Sequence, residues 1–226
     1  MKKLFFTIFS FFALSVMAFG DEYEPTSTWP YVYQEFVAGK LEQPGGGTKD
    51  ALFNICLTNA TLHFIEGDMV REVSSADIFA VRIGNDYYVN AGGEILKVLS
   101  KSEKGMVVEQ LKIDYAKLNS TQGAYGSSGT TIATNNLSSL EGIGASSSNM
   151  NMTHTALRNS RNEGKILPLI HKLALFVNNK ISEASPKGVE EAFDVDKNAF
   201  KLFQKENKIK WRDAQSVQKV VDFLAK

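Results

Sequence analysis

Along residues 31–114, short apolar stretches alternate with polar positions and are separated by turn residues, the pattern of an antiparallel meander. Leu62 and Phe64 alternate with His63 up to Glu66-Gly67-Asp68, and Met69-Val70-Arg71-Glu72-Val73 follows at once, which predicts a tight hairpin about Gly67. Residues 78–83 and 87–90 flank the turn cluster Gly84-Asn85-Asp86. Gly92-Gly93 precedes residues 95–99, and Ser102-Glu103-Lys104-Gly105 leads into residues 106–111. These gaps are shorter than the roughly dozen residues of a parallel crossover, so neighbouring strands pair by local connections.

Nearer the C-terminus, residues 173–177 and 180–184 flank Asn178-Asn179 and predict another hairpin. Ser185-Pro186 supplies an N-cap and a proline at the first helical position for a short helix over residues 186–193. A second helix begins near Asp196 and carries Ala199, Phe200, Leu202 and Phe203. A third is capped by Asp213, with Val217, Val220, Val221 and Leu224 on one face, a core stripe. The fold class is α+β: an N-terminal antiparallel β-meander module over residues 21–118, then a β-hairpin and C-terminal helices over residues 154–226.

Between them the composition changes. Residues 119–153 hold 23 Gly, Ser, Thr or Asn among 35, with Glu141 the lone charge, and read as a linker or a long surface loop. Within it Gly123-Ala124-Tyr125-Gly126-Ser127-Ser128-Gly129 lacks the G-K-[ST] ending of a phosphate-binding loop.

Residues 1–20 have the form of a secretory signal: Lys2 and Lys3, an apolar run from Leu4 to Met17, then the small residues Ala18 and Gly20. Cleavage near Gly20 is expected to deliver a periplasmic or secreted protein with no transmembrane segment in the mature chain. It would leave 206 of 226 residues, and losing two of 25 basic residues against 25 acidic ones sets the net charge at −2. With no basic cluster, a nucleic-acid partner is not expected. Cys56 is the sole cysteine, so no intramolecular disulfide forms, and its neighbours Ile55 and Leu57 make it a small buried hydrophobe.

No motif here carries catalysis, and no cofactor or metal site is expected. Asp194-Val195-Asp196-Lys197-Asn198 begins like an EF-hand loop, but Ala199 replaces the required glycine and Lys205 the bidentate glutamate, leaving a helix cap as the better reading. His63, His154 and His171 are too dispersed for a helical zinc motif. The residues that suggest recognition are aromatic: Trp29, Tyr31, Tyr33, Tyr87 and Tyr88 are candidate ligand or partner contacts, since exposed rings stack on sugars or anchor protein partners. Packing at a sheet edge is their alternative use.

Trp29-Pro30-Tyr31-Val32-Tyr33-Gln34-Glu35-Phe36 behind the leader, Leu62-His63-Phe64-Ile65-Glu66-Gly67-Asp68, and Ser75-Ala76-Asp77-Ile78 before Ile83-Gly84 form one set of segments. Gly164-Lys165-Ile166-Leu167-Pro168-Leu169-Ile170 and Phe203-Gln204-Lys205-Glu206-Asn207-Lys208-Ile209-Lys210-Trp211 form another. Together they resemble uncharacterised exported proteins of Gram-negative anaerobes, a likeness that implies export and this architecture and transfers no activity. Three functions follow as expectations. The first is a non-enzymatic binding or interaction protein of the cell envelope, its partner an envelope protein or glycan. The second is a hydrolase built from scattered residues such as His63, Asp68, Asp77 and Asp86. The third is a structural subunit of an envelope assembly.

Overall fold

The computed structural model describes residues 23–120 and 153–224. Residues 1–20, expected to be a leader, and nearly all of the Ser/Gly/Asn-rich segment, including its glycine cluster, lie outside the described residues. The described chain is mostly antiparallel sheet with a few helices after it, as the alternation requires. The strands are β1 Val37–Glu42, β2 Thr48–Cys56, β3 Thr61–Glu66, β4 Met69–Glu72, β5 Ala80–Ile83, β6 Asp86–Ala91, β7 Glu94–Ser102, β8 Gly105–Ile113, β9 Leu169–Val177 and β10 Lys180–Glu183. They form one sheet in the order β10-β9-β8-β7-β6-β5-β1-β2-β3-β4, with every pair antiparallel.

Gly67 (φ 63°) turns the β3–β4 hairpin, and Asn178 and Asn179 (φ 49° and 60°) turn β9 into β10 with both residues left-handed. That geometry matches strand twist, and asparagine tolerates it. Leu169–Val177 pairs with β8 from Met106 to Ile113, so the C-terminal hairpin extends the sheet begun by the meander.

The sheet curls into a half-barrel. The Ile95 amide at the start of β7 donates to the Ala60 carbonyl in the β2–β3 turn at 3.0 Å, although β6, β5, β1 and β2 stand between those strands. Alternation then sends Leu41, Phe53, Ile55, Leu62, Val81 and Tyr88 into a shared inner core. Gly39 permits the close pairing of β1 with β5, because a Cβ there would lie 2.4 Å from the Arg82 carbonyl oxygen.

Five helices accompany the sheet among the described residues: α1 Tyr115–Ser120, α2 His154–Asn159, α3 Pro186–Ala192, α4 Lys197–Glu206 and α5 Ala214–Leu224. The expected caps are present. Ser185 Oγ accepts from Gly188 N at 3.0 Å, Asp196 Oδ1 from Asn198 N and Ala199 N, and Asp213 Oδ1 from Gln215 N and Ser216 N. Asp196 is thus a helix cap. Val217, Val220 and Val221 of α5 are buried with Phe200 of α4 against Val107, Leu175 and Val177, while Leu224 is half-buried at the rim of the same cluster. Each fully buried side chain of this size contributes about 1.5–3 kcal/mol before the opposing chain entropy.

Candidate functional site

The five aromatic candidates divide among three environments. Trp29 and Tyr31 have no exposed surface, so the expectation that they offer rings to a ligand does not hold. The segment that carries them lies along β2, where the buried Asn54 ties it down: Asn54 Nδ2 donates to the carbonyls of Tyr33 (2.8 Å) and Glu35 (3.1 Å), and its Oδ1 accepts from Tyr33 N. Trp29 Nε1 donates to the Tyr33 carbonyl at 2.9 Å, and its ring meets Phe36 edge-on. Cys56, Val70 and Leu157 complete this cluster. Burial pushes the Cys56 thiol above its ordinary pKa, which suits an inert packing group.

Tyr33 and Tyr88 come together on the inner sheet face. Their hydroxyl oxygens are 2.6 Å apart, and Tyr33 Oη donates to Asp86 Oδ2 at 2.7 Å. Lys97 Nζ holds the other Asp86 oxygen at 2.9 Å. Register places Lys97 beside Tyr88 and Glu109 beside Lys97, and Glu109 Oε1 lies 2.8 Å from His171 Nδ1. Burial, with the partner hydroxyl and Asp86 adding to it, drives the Tyr33 hydroxyl far above its usual pKa, and burial raises Tyr88 as well. Both phenols therefore stay protonated and serve as hydrogen-bond donors. The row ties the strands together, and its members largely satisfy one another.

Tyr87 occupies the opposite, outer face and is half-exposed. Arg82 Cζ and Lys101 Nζ lie 5.5 and 5.7 Å from its ring centroid, within cation–π range. Its hydroxyl donates to Glu42 Oε2 at 3.4 Å, and burial together with that carboxylate raises its pKa against the opposing pull of Arg82. Beside the ring runs a groove of about 440 Å³, lined by Glu42, Arg82, Tyr87, Leu99, Ser100 and Lys101. Arg82 also borders a hollow of about 810 Å³ over β1–β3, where Lys49 Nζ sits 3.7 Å from the Phe64 centroid. Among the described residues neither Arg82 nor Lys101 forms an ion pair. Of the five candidates, Tyr87 is the one in an open groove with unneutralised charge, and this groove is the candidate site.

Arg82 and Lys101 are not conspicuous in the sequence. Arg82 stands between the buried Val81 and Ile83, so alternation alone predicts an outward side chain without saying what it meets. Lys101 reaches the outer face because the β7–β8 register shifts between Val98 and Ser100. Unbroken alternation would have put it with Lys97 on the inner face.

The residues of the hydrolase alternative are not brought together. Asp68 Oδ1 accepts from the Thr155 hydroxyl (2.9 Å) and amide (3.1 Å), which fastens α2 to the β3–β4 turn. Asp77 is exposed in the single 3₁₀ turn Ser75–Asp77, Asp86 belongs to the inner row, and His63 is buried beside Tyr31, Thr61 and Glu72. Among the described residues no three His, Cys, Asp or Glu side chains are grouped as metal ligands, and no helix is long and apolar enough to cross a membrane. Comparison with known proteins finds no matching family model, curated protein or solved structure.

Proposed function

We propose that the chain is an exported, non-enzymatic binding protein of the cell envelope, released into the periplasm or beyond after cleavage near Gly20. In this reading it is one of the exported proteins of Gram-negative anaerobes that its N- and C-terminal segments resemble. The leader supports export, with its two lysines, apolar run and small residues before Asp21. The groove beside Tyr87 carries the binding reading: a half-exposed ring, two cations that form no ion pair among the described residues and an exposed Leu99 (36%) border one hollow of ligand size.

Retention of envelope material on the immobilised protein tests it. Native envelope extract passed over the wild-type chain and over Tyr87→Ala should leave a specific glycan or protein on the first and not on the second. Equal retention on both, or no specific retention in repeated trials, removes the groove as a binding site.

A further inference from the structure

Two cations beside one aromatic ring repel each other, and here the fold itself sets them there. Arg82 is the direct cross-strand partner of Tyr87. Lys101 joins them only because the bulge between Val98 and Ser100 turns β7 over, a common device for re-aiming a side chain. The same bulge leaves Leu99 open to solvent at the side of the groove. Among the described residues the one acid in the lining, Glu42, already accepts from the Tyr87 hydroxyl at 3.4 Å and has lone pairs left for another donor.

A ligand that fits must bring an anion to Arg82 and Lys101, a hydroxyl donor to Glu42, and a C–H surface to Val98 and Leu99. A bare inorganic anion brings no C–H surface to Val98 and Leu99 and is small beside about 440 Å³. A neutral sugar leaves both cations unneutralised. We propose that the groove binds an acidic saccharide, its uronate carboxylates paired with Arg82 and Lys101 on the two sides of Tyr87 and its ring hydroxyls donating to Glu42. This rests on the binding-protein reading and names its ligand class.

Isothermal titration of the full-length protein with digalacturonate, with its neutral counterpart digalactose and with inorganic phosphate tests the assignment. Digalacturonate should bind saturably, weaken as ionic strength rises, and lose about tenfold or more in affinity with either Arg82→Gln or Lys101→Gln, the scale of a lost charge-assisted hydrogen bond. Digalactose and phosphate should each bind about tenfold more weakly or worse. Arg82 and Lys101 are exposed, so unchanged melting midpoints should accompany the losses, and Arg82→Lys should recover part of the affinity. The acidic-saccharide assignment is overturned by equal affinity for digalactose, by phosphate matching digalacturonate, by variants that bind as wild type, or by no binding of the acid. If any of these occurs while Tyr87→Ala still abolishes retention of envelope material, the binding-protein reading stands without its acidic ligand. If that retention is also insensitive to Tyr87→Ala, both fall.

Discussion

The phenol oxygen of Tyr31 lies 3.0 Å from Nδ1 of His63, and both side chains are buried. This contact joins the segment before β1 to the middle of β3. The second imidazole nitrogen is 3.2 Å from Thr61 Oγ1 and 3.4 Å from Glu72 Oε2, so each polar atom of the ring has a neighbour. Removing the phenol hydroxyl leaves a buried ring nitrogen without its partner. Tyr31→Phe should therefore cost about 1–3 kcal/mol, read as a lowered midpoint in thermal or denaturant unfolding. An unchanged midpoint would show that the hydrogen bond contributes nothing to stability.

Asp86 makes the inner row acid-sensitive. Burial pushes its carboxyl upward, but hydrogen bonds from Lys97 and Tyr33 and the Lys97 charge outweigh burial and hold the pKa below the ordinary carboxylate value. A pKa depressed by folding means that this stabilisation is present above the unfolded value of about 3.9 and is lost as pH falls through the folded value. Asp86→Asn should destabilise the protein by about 1 kcal/mol at neutral pH and by progressively less below about pH 4. Urea midpoints of the two proteins measured across that range should converge, and parallel curves would refute the assignment.

Val221 of α5 is fully buried among Val107, Leu175 and Phe200. Val221→Asp places an unpaired carboxylate in that contact and should cost about 4 kcal/mol or more, enough to lower the melting midpoint by roughly ten degrees or more or to prevent folding. Val221→Ala should fold with a smaller loss, about 1–3 kcal/mol, from the cavity it leaves. A wild-type midpoint in either variant would mean that the α5 stripe is not a core contact.

Cys56 has no exposed surface, and burial raises its thiol pKa. A thiol reagent at neutral pH should leave the native protein unmodified over the time in which it titrates one thiol in denaturant. Rapid modification of the folded protein would place Cys56 at an accessible surface.

Gly39 pairs with Ile83 across β1 and β5, and a Cβ there would lie 2.4 Å from the Arg82 carbonyl oxygen and 3.0 Å from the Phe53 ring. Gly39→Ala must push the two strands apart. It should destabilise the sheet by about 1–3 kcal/mol and, by shifting Arg82, also weaken ligand binding at the groove. Full stability together with full binding would show that the pairing relaxes freely.

The strands, hairpins and caps were readable in the chain because each is a local matter. Alternation of Leu62, His63 and Phe64, left-handed turn residues such as Gly67 and Asn178-Asn179, and hydroxyl or carboxylate caps at Ser185, Asp196 and Asp213 act over a few residues whatever the rest of the molecule does. Strand order, curl and exposure are set by contacts between distant residues, and those only the tertiary structure decided. Sequence could nominate Trp29, Tyr31, Tyr33, Tyr87 and Tyr88 alike as aromatic. Folding buried the first two behind Asn54, tied Tyr33 and Tyr88 into a row with Asp86, and left Tyr87 in the open. The site depends on a single register shift in β7, which moves Lys101 to the face of Arg82 and Tyr87. Alternation read along a chain has no means of showing such a shift, because a bulge appears only when one strand is laid against its neighbour.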